Sequence, residues 1–437
     1  MKIEKLELNN FRCFEHINFE LHPRMNVMVG INGTGKTALL EAIRIFIGAI
    51  FCELDKIENK ISTPSIADDD VRLHNLEQQY PVKITGEISI DNELLSITKP
   101  SWDRILERYG GKTKFGPSKD AKSLSKNIQS IIREGKNTAI PIIAYYSTDR
   151  YKKEKRNTGL EADGSRLRGY YNALDTTTNI WFFLNMIKTE TLWELQEGKE
   201  SIVLSIVRKI ITSCVPDCKE IKHDIKQDKL IITQANGEKV PFTSLSDGVR
   251  NVLSLAMELA LRCYLLNPSL GEEAPSMTPG IVLIDEIDLH LHPEWQLHIL
   301  NDLTSVFNQI QFIVTTHAPL VLSTLKDGEI FSIADRKLYN FPNQYMRRPE
   351  EILKDMDTDL GSESADKTLA DYRLLIEEGK GKSEEAVILR KKLEGLFGAN
   401  HEELQRADIY GGKNEACQYV VGLKMGDCFG FQSVMVE

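Results

Sequence analysis

Long hydrophobic runs are missing from this 437-residue sequence. No apolar run approaches the ~20 residues that a transmembrane helix needs, and the opening stretch MKIEKLELNNFRCF lacks the apolar centre of a signal peptide. Hydrophobic residues make up 41% of the chain and charged residues 27%, which is ordinary for a globular protein. We therefore expect a cytoplasmic protein without a membrane partner, long enough for about two to three domains.

Cysteine and histidine are also sparse. The seven cysteines, at positions 13, 52, 214, 218, 263, 417 and 428, are odd in number and scattered, unlike a disulfide framework. Cys214 and Cys218 have no second pair that could complete a zinc site. The nine histidines show no HNH-like group, and Asp355-Met356-Asp357 is a poor match to the D-x-D of a Toprim nuclease. We predict that the chain carries no nuclease centre of its own.

The charge of the chain does not decide whether it binds nucleic acid. A net charge of −10 argues weakly against a dedicated nucleic-acid binder. Residues 103–168, however, hold 16 Lys/Arg against 8 Asp/Glu, a local charge of +8 on an otherwise acidic chain. Such a segment can meet phosphates or can be a solvated surface, and both interpretations stay open.

A phosphate-binding motif stands near the start of the chain. VMVGINGTGKTALLEAIRIFI reads G-x-x-x-x-G-K-T from Gly30 to Thr37, between an apolar strand and a helix. Backbone N–H groups of such a loop and the helix N-terminus bind anions. We expect Lys36 to reach the β- and γ-phosphates and the Thr37 hydroxyl to ligate Mg²⁺. The residues predicted to contact ATP are Asn32, Gly33, Gly35, Lys36, Thr37 and Ala38.

Two adjacent carboxylates follow another apolar strand in IVLIDEIDLHLHP, residues 281–293. Acids at the end of a buried strand are costly unless a cation or a reacting molecule lies there. With a P-loop in the same chain, Asp285 is expected to hold the Mg²⁺ shell and Glu286 to polarise the water that attacks the γ-phosphate. Without the P-loop, an acidic loop after a buried strand would be the simpler interpretation.

Two further stretches indicate the type of nucleotide site. FTSLSDGVRNVLSL places Leu245-Ser246-Asp247-Gly248 at the start of an apolar helix, and QFIVTTHAPLVLS is a buried strand that ends at His317. In this order, the P-loop, the LSxG signature, the acid pair and the histidine resemble the ABC ATPases. The opening NNFRCFEHINFEL is similar to the first hairpin of their RecF/SMC branch.

That resemblance implies roles for further residues. Arg12 is implied to lie near the nucleotide, with Glu286 and His317 as the catalytic residues. It also implies a head-to-tail homodimer, since the signature of ABC proteins binds the nucleotide of the partner chain. The signature residues expected to act in trans are Ser246, Asp247 and Gly248. An ordinary serine N-cap is the alternative for Ser246.

The match to ABC ATPases has two departures. The strand in IPIIAYYSTDRY is followed by Ser147, Thr148, Asp149 and Arg150, and offers no glutamine to contact Mg²⁺ and the attacking water. His292 stands about where the second aspartate of the family is expected. We therefore expect slow hydrolysis.

The resemblance and the motif positions together imply the fold. We expect an α/β protein with a RecF/SMC-like ABC-ATPase head, in which a mixed sheet is flanked by helices. Residues 1–100 form the first ATPase lobe with the P-loop. Residues 101–240 form a helical insertion lobe, with helices near 123–134 and 170–198 but without the sustained heptads of a long coiled coil. Residues 241–340 complete the ATPase core, and 341–437 form a C-terminal helical extension with an amphipathic hairpin for oligomer or partner contacts.

A narrower resemblance follows from the later motifs. LSDGVRN…IVLIDEIDLHLHPEWQ…FIVTTHAPLVLS, followed by RRPEEI and IEEG…EEAVILRKKLE, resembles stand-alone bacterial ATPases of the PtuA type. These serve the Septu anti-phage system and some retrons. The resemblance implies a homodimer or higher homo-oligomer, a separately encoded HNH nuclease subunit of the PtuB type, and DNA contacts through that complex. Two alternatives stay open: a RecF-like repair ATPase that clamps duplex DNA, and an ATPase of another defence system such as the AriA subunit of PARIS.

Overall fold

The computed structural model describes residues 1–31, 33–55, 61–90, 99–151, 164–176, 180–215, 218–326, 328–334, 336–342, 344–356, 368, 371–376, 380–381 and 383–397. The contacts within the chain divide it into two compact units, Met1–Ile352 and Leu353–Glu437. None of the helices in these described ranges is long and apolar enough to cross a membrane.

The strands are β1 (Lys2–Phe11), β2 (Phe14–Glu20), β3 (Met25–Val29), β4 (Leu73–His74), β5 (Glu77–Gln78), β6 (Val82–Ser89), β7 (Ser101–Leu106), β8 (Lys114–Phe115), β9 (Ile142–Tyr146), β10 (Cys218–Asp224), β11 (Lys229–Gln234), β12 (Lys239–Pro241), β13 (Gly280–Ile284), β14 (Ile310–Thr315), β15 (Glu329–Ala334) and β16 (Lys337–Phe341). The helices are α1 (Lys36–Gly48), α2 (Asp120–Arg133), α3 (Ile180–Glu197), α4 (Ile202–Cys214), α5 (Asp247–Leu266), α6 (Ala274–Met277), α7 (Pro293–Gln296), α8 (Ile299–Val306), α9 (Pro319–Leu322), α10 (Pro349–Asp355) and α11 (Glu384–Phe397).

A six-stranded mixed sheet forms the centre of the first unit, in the order β16-β15-β3-β14-β13-β9. Five of its strands run parallel, and β16 pairs antiparallel at one edge. Every residue of β3, β9, β13 and β14 is buried, as is usual for parallel strands covered on both faces. The sheet confirms the predicted α/β class and places the ends of β3, β14, β13 and β9 side by side.

A second, antiparallel sheet packs on α1, the helix that begins at the P-loop lysine. Its strand order is β2-β1-β6-β7-β8, and α1 contacts β1, β6 and β7. Trp102 of β7 stacks on Phe46 of α1 with 4.6 Å between ring centroids, and its indole N–H donates to the Phe46 carbonyl at 3.0 Å. Gly86 of β6 leaves room for the Phe46 ring, because a Cβ on Gly86 would lie 2.5 Å from that ring. The antiparallel sheet thereby holds α1 in place behind the P-loop.

The insertion contains a sheet that the sequence does not predict. Strands β10, β11 and β12 form a three-stranded antiparallel sheet. Their hydrophobic pattern is weak because charged residues interrupt it, as in CKEIKHD for β10, so the segment gives no clear strand signal. The helix expected near 123–134 is confirmed as α2. The helix expected over 170–198 is shorter, since α3 begins at Ile180 and residues 166–170 form a separate 3₁₀ turn.

A buried ion pair fixes the long helix α5. Arg262 and Glu258 lie one turn apart with side chains 1% and 3% exposed, and the guanidinium Nη2 lies 2.8 Å from Glu258 Oε1. Arg262 Nη1 also donates to the carbonyls of Gly169 and Tyr171, at 2.8 and 3.0 Å. The guanidinium lies over the ring of Phe183 in α3. This one side chain therefore ties α5 to the 3₁₀ turn and to α3.

The described part of the second unit packs as a helical pair. Residues 371–376 are helical, and Tyr372 and Ile376 form an apolar cluster with Ala386 and Leu393 of α11. Arg390 of α11 donates to the Tyr372 hydroxyl at 3.3 Å. These contacts are those of the amphipathic hairpin expected in this region. Residues 398–437 lie outside the described residues.

The buried pair gives a stability prediction. Replacing Arg262 by Met should lower the free energy of unfolding by about 3–5 kcal/mol, because it leaves the Glu258 carboxylate buried without its cation. Arg250→Met is the matched control, since Arg250 of the same helix pairs with Asp247 at the surface and such pairs contribute about 0–1 kcal/mol. Urea denaturation followed by circular dichroism measures both. Equal losses in the two variants would contradict the prediction.

Candidate nucleotide site

The P-loop lies between β3 and α1 at the carboxyl edge of the central sheet. Gly35 caps α1 with a φ of 114°, in the left-handed region that favours glycine. A Cβ on Gly35 would lie 2.6 Å from Cys13 Sγ and 2.8 Å from the Phe14 ring. The turn between β1 and β2 therefore presses directly on the loop, and only glycine fits this close approach.

Lys36 is the first residue of α1, and its side chain turns back over the loop. Its ammonium group donates to the carbonyls of Gly30 and Ile31, at 2.7 and 2.9 Å. Burial lowers the pKa of Lys36, and the nearby carboxylates of Asp285 and Glu286 act against that shift. The cation thus lies inside the curl of the loop, next to the backbone N–H groups suited to phosphates.

Asp285 connects the P-loop helix to two strand ends. Its Oδ2 accepts a hydrogen bond from the Thr37 hydroxyl at 2.9 Å, and its Oδ1 accepts one from the Thr315 hydroxyl at 2.5 Å. Its backbone N–H donates to the Tyr146 carbonyl at 2.8 Å. The Thr37 hydroxyl and the Asp285 carboxylate are hard oxygen donors that fit Mg²⁺, a cation usually bound by one or two protein oxygens together with water and phosphate.

Glu286 follows Asp285 in a strained backbone conformation. Its φ is 47°, and left-handed conformations of residues other than glycine cost about 1–3 kcal/mol. Its N–H donates to the Thr315 hydroxyl at 2.7 Å. The strain turns the chain sharply at the end of β13, and Glu286 is half-buried beside the P-loop cation.

Arg150 lies where a glutamine is expected in ABC heads. It is 5% exposed and follows β9, the strand beside β13. Its guanidinium donates to the backbone carbonyls of Asp285 at 2.6 Å and Glu286 at 2.9 Å. Sequence reasoning found no glutamine here but missed that Arg150 contacts the acid pair. Thr315 was missed as well, although its place at the end of a buried strand, two residues before His317, was a usable signal.

His317 follows β14 and is half-buried. Burial is the largest cause that lowers its pKa, followed by the positive charge of Lys36, while Asp288, Glu286 and Asp285 oppose the shift. The lowered pKa of His317 favours the uncharged form of the imidazole. Thr316, just before it, donates to Asp288 at 2.6 Å. The histidine, the lysine and the acids thus lie within one electrostatic neighbourhood.

The signature residues lie at the start of α5, against the loop that follows the acid pair. A Cβ on Gly248 would lie 2.4 Å from the His290 carbonyl oxygen, and the Asn251 amide donates to the Leu289 carbonyl at 3.1 Å. Ser246 is exposed and occupies the N-cap without a capping hydrogen bond from its side chain. Its hydroxyl is thus not used by its own helix.

Asp247 of the signature and Arg12, in the turn between β1 and β2, each have a partner within the chain. Asp247 pairs with Arg250. Arg12 donates from its Nε to Asp70 Oδ1 at 2.7 Å and from its backbone N–H to the Asp70 carbonyl at 2.7 Å. Asp70 was not identified from the sequence. A Cβ on Gly35 would lie 2.6 Å from the Sγ of Cys13, the next residue, so the chain beside Arg12 approaches the P-loop, and the role of Arg12 near the nucleotide stays a prediction.

Gly33, Ala38 and Asn32 are the other residues predicted to contact ATP, and their contacts with it stay predictions. Gly33 has a φ of 83° and open space where a Cβ would project, and Ala38 is buried in the first turn of α1. Asn32 lies outside the described residues. Across the described chain, no hydrogen bond links the signature residues 246–248 to the P-loop residues, so the structure brings together the P-loop, the acid pair and His317 but not the signature.

The family comparison covers most of this site. The family model described as an AAA domain matches residues 5–234, just over half of the chain. A second AAA-domain model, described for AbiEii toxins of type IV toxin–antitoxin systems, matches residues 159–323. Together the two matches span the P-loop, the acid pair and His317.

Two curated proteins are similar over much of the chain. "Retron Vc95 probable ATPase" of Vibrio cholerae serotype O1 biovar El Tor is 25% identical, over 93% of this chain and 85% of its own length. "Septu protein PtuA" of Bacillus mycoides (strain KBAB4) is 27% identical, over 75% of this chain and 40% of its own length. The predicted resemblance to PtuA-type ATPases is confirmed.

A solved structure supports the fold. The SMC head bound to the C-winged helix domain of ScpA aligns with a TM-score of 0.50 at 15% identity, covering 78% of this chain and 98% of that one. At that identity the likeness concerns the fold alone, and it confirms the expected SMC-like head. Since the first AAA-domain match extends over more than half of the sequence and includes a complete P-loop, the chain belongs to the AAA-domain family and is an ATPase.

Proposed function

We propose that this chain is a slowly hydrolysing ATPase of an anti-phage defence system, which controls a separately encoded HNH nuclease according to its nucleotide state. The names of the relatives, a retron ATPase and a Septu protein, support the defence context. The bonded set of Thr37, Asp285 and Thr315 is the observation that carries the ATPase part, because it joins the P-loop to the acid pair.

The site residues take separate roles in this proposal. Lys36 would neutralise the β- and γ-phosphates, while Thr37 and Asp285 would hold Mg²⁺. Glu286 polarises the attacking water, and the neutral imidazole of His317 accepts or donates a hydrogen bond near the γ-phosphate. Mg²⁺ supplies charge neutralisation between the phosphates when it is bound. The sequence after β9 offers no glutamine to contact the attacking water. Because positioning of that water contributes to the rate of hydrolysis, we expect turnover to be slow.

A shared nucleotide is the second part of the proposal. Ser246 is exposed and its side chain makes no capping hydrogen bond to its own helix, so its hydroxyl and the start of α5 can bind an anion that another chain presents. The P-loop covers one side of a triphosphate only. Two chains arranged head to tail would cover both nucleotides from both sides, with Ser246, Asp247 and Gly248 acting in trans.

The nuclease partner is the third part. Within the described residues, no group of three or more His, Cys, Asp or Glu side chains is arranged to hold a metal ion. The second unit exposes Leu374, Val387 and Ile388 at 57%, 57% and 62%. Apolar side chains at helical positions of this kind suit a helix-in-groove contact with a partner or another copy.

A RecF-like repair ATPase is the competing function, and the basic segment 103–168 suits either of the two. The two functions differ in what the isolated chain binds. A repair clamp binds duplex DNA by itself, with an affinity that falls steeply as salt rises. A regulatory subunit is expected to bind DNA only in complex with its nuclease. The same expectation holds for an ATPase of another defence system.

Nucleotide binding depends on Lys36 in this scheme. We expect Lys36→Ala to lower ATP affinity by roughly 100-fold or more, because hydrogen bonds to charged groups contribute about 1.5–3 kcal/mol each. Lys188→Ala is the matched control, since that ammonium pairs with Asp228 in the insertion. Isothermal titration with ATP and Mg²⁺ measures both variants. ATP binding by Lys36→Ala at the parent affinity would mean that the phosphates bind elsewhere.

Dimerisation should depend on Ser246. In a Glu286→Gln background, which retains ATP because the general base is lost, ATP should drive the chain into dimers. Adding Ser246→Arg should abolish these dimers through bulk and charge, without weakening ATP binding to each chain. Ser123→Arg, at an exposed serine of α2, is the control. Sedimentation velocity with and without ATP measures the outcome, and full dimerisation of the Ser246→Arg protein would place the interface elsewhere.

Control of a nuclease can be tested with the neighbouring gene product. The purified chain should cleave no DNA with Mg²⁺, with or without ATP, while its complex with the co-expressed HNH protein should cleave. Val387→Glu with Ile388→Glu should separate the complex and leave ATP binding intact, because buried charges disfavour an apolar contact. Lys391→Glu, exposed on the same helix, is the control for charge. Robust DNA cleavage by the single chain would contradict the proposal.

A further inference from the structure

Arg150 makes three hydrogen bonds to backbone carbonyls around the acid pair. Its Nη1 donates to Asp285 O at 2.6 Å and to Ser147 O at 2.9 Å, and its Nη2 donates to Glu286 O at 2.9 Å. Planar guanidinium groups present several donors in a fixed geometry. One side chain therefore sets the spacing between the end of β9 and the two peptide units that carry the acids.

The peptide units that Arg150 contacts are the strained ones. Glu286 has a φ of 47°, a conformation that persists only where surrounding contacts enforce it. The Thr315 hydroxyl accepts from the N–H of Glu286, and Arg150 donates to its carbonyl. Glu286 is thus held on both sides, by β14 through Thr315 and by the β9 end through Arg150.

The segment that carries Arg150 is itself tied to the chain before α3. The Ser147 hydroxyl donates to the Thr176 carbonyl, and the Tyr145 N–H donates to the Ala173 carbonyl at 2.7 Å. Asp149 donates its N–H to the Ser147 hydroxyl at 3.0 Å. The position of the guanidinium is therefore set by the insertion as well as by the central sheet.

We infer that Arg150 is a positioning residue for ATP hydrolysis, which holds the backbone of Asp285 and Glu286 so that the Glu286 carboxylate is aimed at the attacking water. The inference rests on the proposed role of Glu286 as the general base. It assigns to the end of β9 a function in turnover, performed through backbone carbonyls of the neighbouring strand. Arg150 contributes little to ATP affinity, because Lys36, Thr37 and the loop N–H groups hold the phosphates.

The test compares Arg150→Ala with a matched arginine. Arg166 also donates to backbone carbonyls, those of Leu266 at 2.5 Å, Lys136 at 2.7 Å and Thr138 at 3.0 Å, but none of these belongs to the acid pair. Single-turnover ATP hydrolysis, ATP affinity and Tm are measured for the parent, for Arg150→Ala and for Arg166→Ala. Arg150→Ala is expected to slow hydrolysis by about 100-fold, the loss typical of a misplaced catalytic group, while ATP affinity stays within about threefold.

Added guanidinium ion separates positioning from general stability. At millimolar concentrations it should restore part of the hydrolysis rate of Arg150→Ala and leave the parent and Arg166→Ala unchanged. Arg150→Lys keeps the positive charge but lacks the several donors of a guanidinium group. Its hydrolysis rate should therefore exceed that of Arg150→Ala by less than added guanidinium raises the rate of Arg150→Ala. Should Arg150→Ala fail to fold, Arg150→Lys alone carries the comparison with Arg166→Lys.

The outcomes divide clearly. A slow Arg150→Ala protein that binds ATP normally and responds to guanidinium supports the inference. An unchanged rate overturns it, and so does a loss that follows the fall in Tm and is matched by Arg166→Ala. A loss of ATP affinity as large as the loss of rate would make Arg150 a binding residue instead. Failure of the proposed function is a different result, since then Glu286→Gln itself would leave the hydrolysis rate unchanged.

Discussion

The carboxylate of Asp285 is the point where separate parts of the chain meet. It is 2% exposed, and burial of a charge is tolerable only where hydrogen bonds replace water. Thr37 from α1 and Thr315 from β14 each supply one hydroxyl. The parallel order β3-β14-β13-β9 is what brings these groups to one edge, because the carboxyl ends of parallel strands point the same way. The antiparallel sheet, by fixing α1 through Phe46 and Trp102, keeps Thr37 within reach.

The residues that could be predicted from the sequence are those whose chemical role is indicated by a short sequence motif. The G-x-x-x-x-G-K-T loop has a glycine pattern and flanking elements that only a phosphate site explains, and IVLIDE places acids after a fully apolar strand. Lys36, Thr37 and Asp285 follow from these motifs. The type of the central strands follows in the same way, since β13 is a continuous apolar run and β3 and β14 are mostly apolar, interrupted by Asn26 and Gln311.

Contacts between distant parts of the sequence could not be predicted. Arg150 and Asp285 are 135 positions apart, and although Arg150 follows a buried strand, nothing in that stretch of sequence shows which backbone carbonyls its guanidinium contacts. Asp70 and Arg12 are paired by the fold next to the antiparallel sheet, across 58 positions. The β10–β12 sheet was missed because its strands present charges on one face and few apolar residues on the other. Such features depend on register and topology, which a single sequence does not encode in local pattern.

The close contact between Gly248 and the His290 carbonyl constrains how this family can diverge. An oxygen 2.4 Å from the position of an added Cβ leaves no residue other than glycine at 248 unless the backbone at 290 moves. Asn251, which donates to Leu289, binds the same loop one helical turn further along. Substitutions in the helix start and in this loop are therefore not independent, and lineages should show paired changes at 248–251 and 289–291. Grafting either segment alone from a relative would therefore replace one side of this contact and leave the other side unmatched.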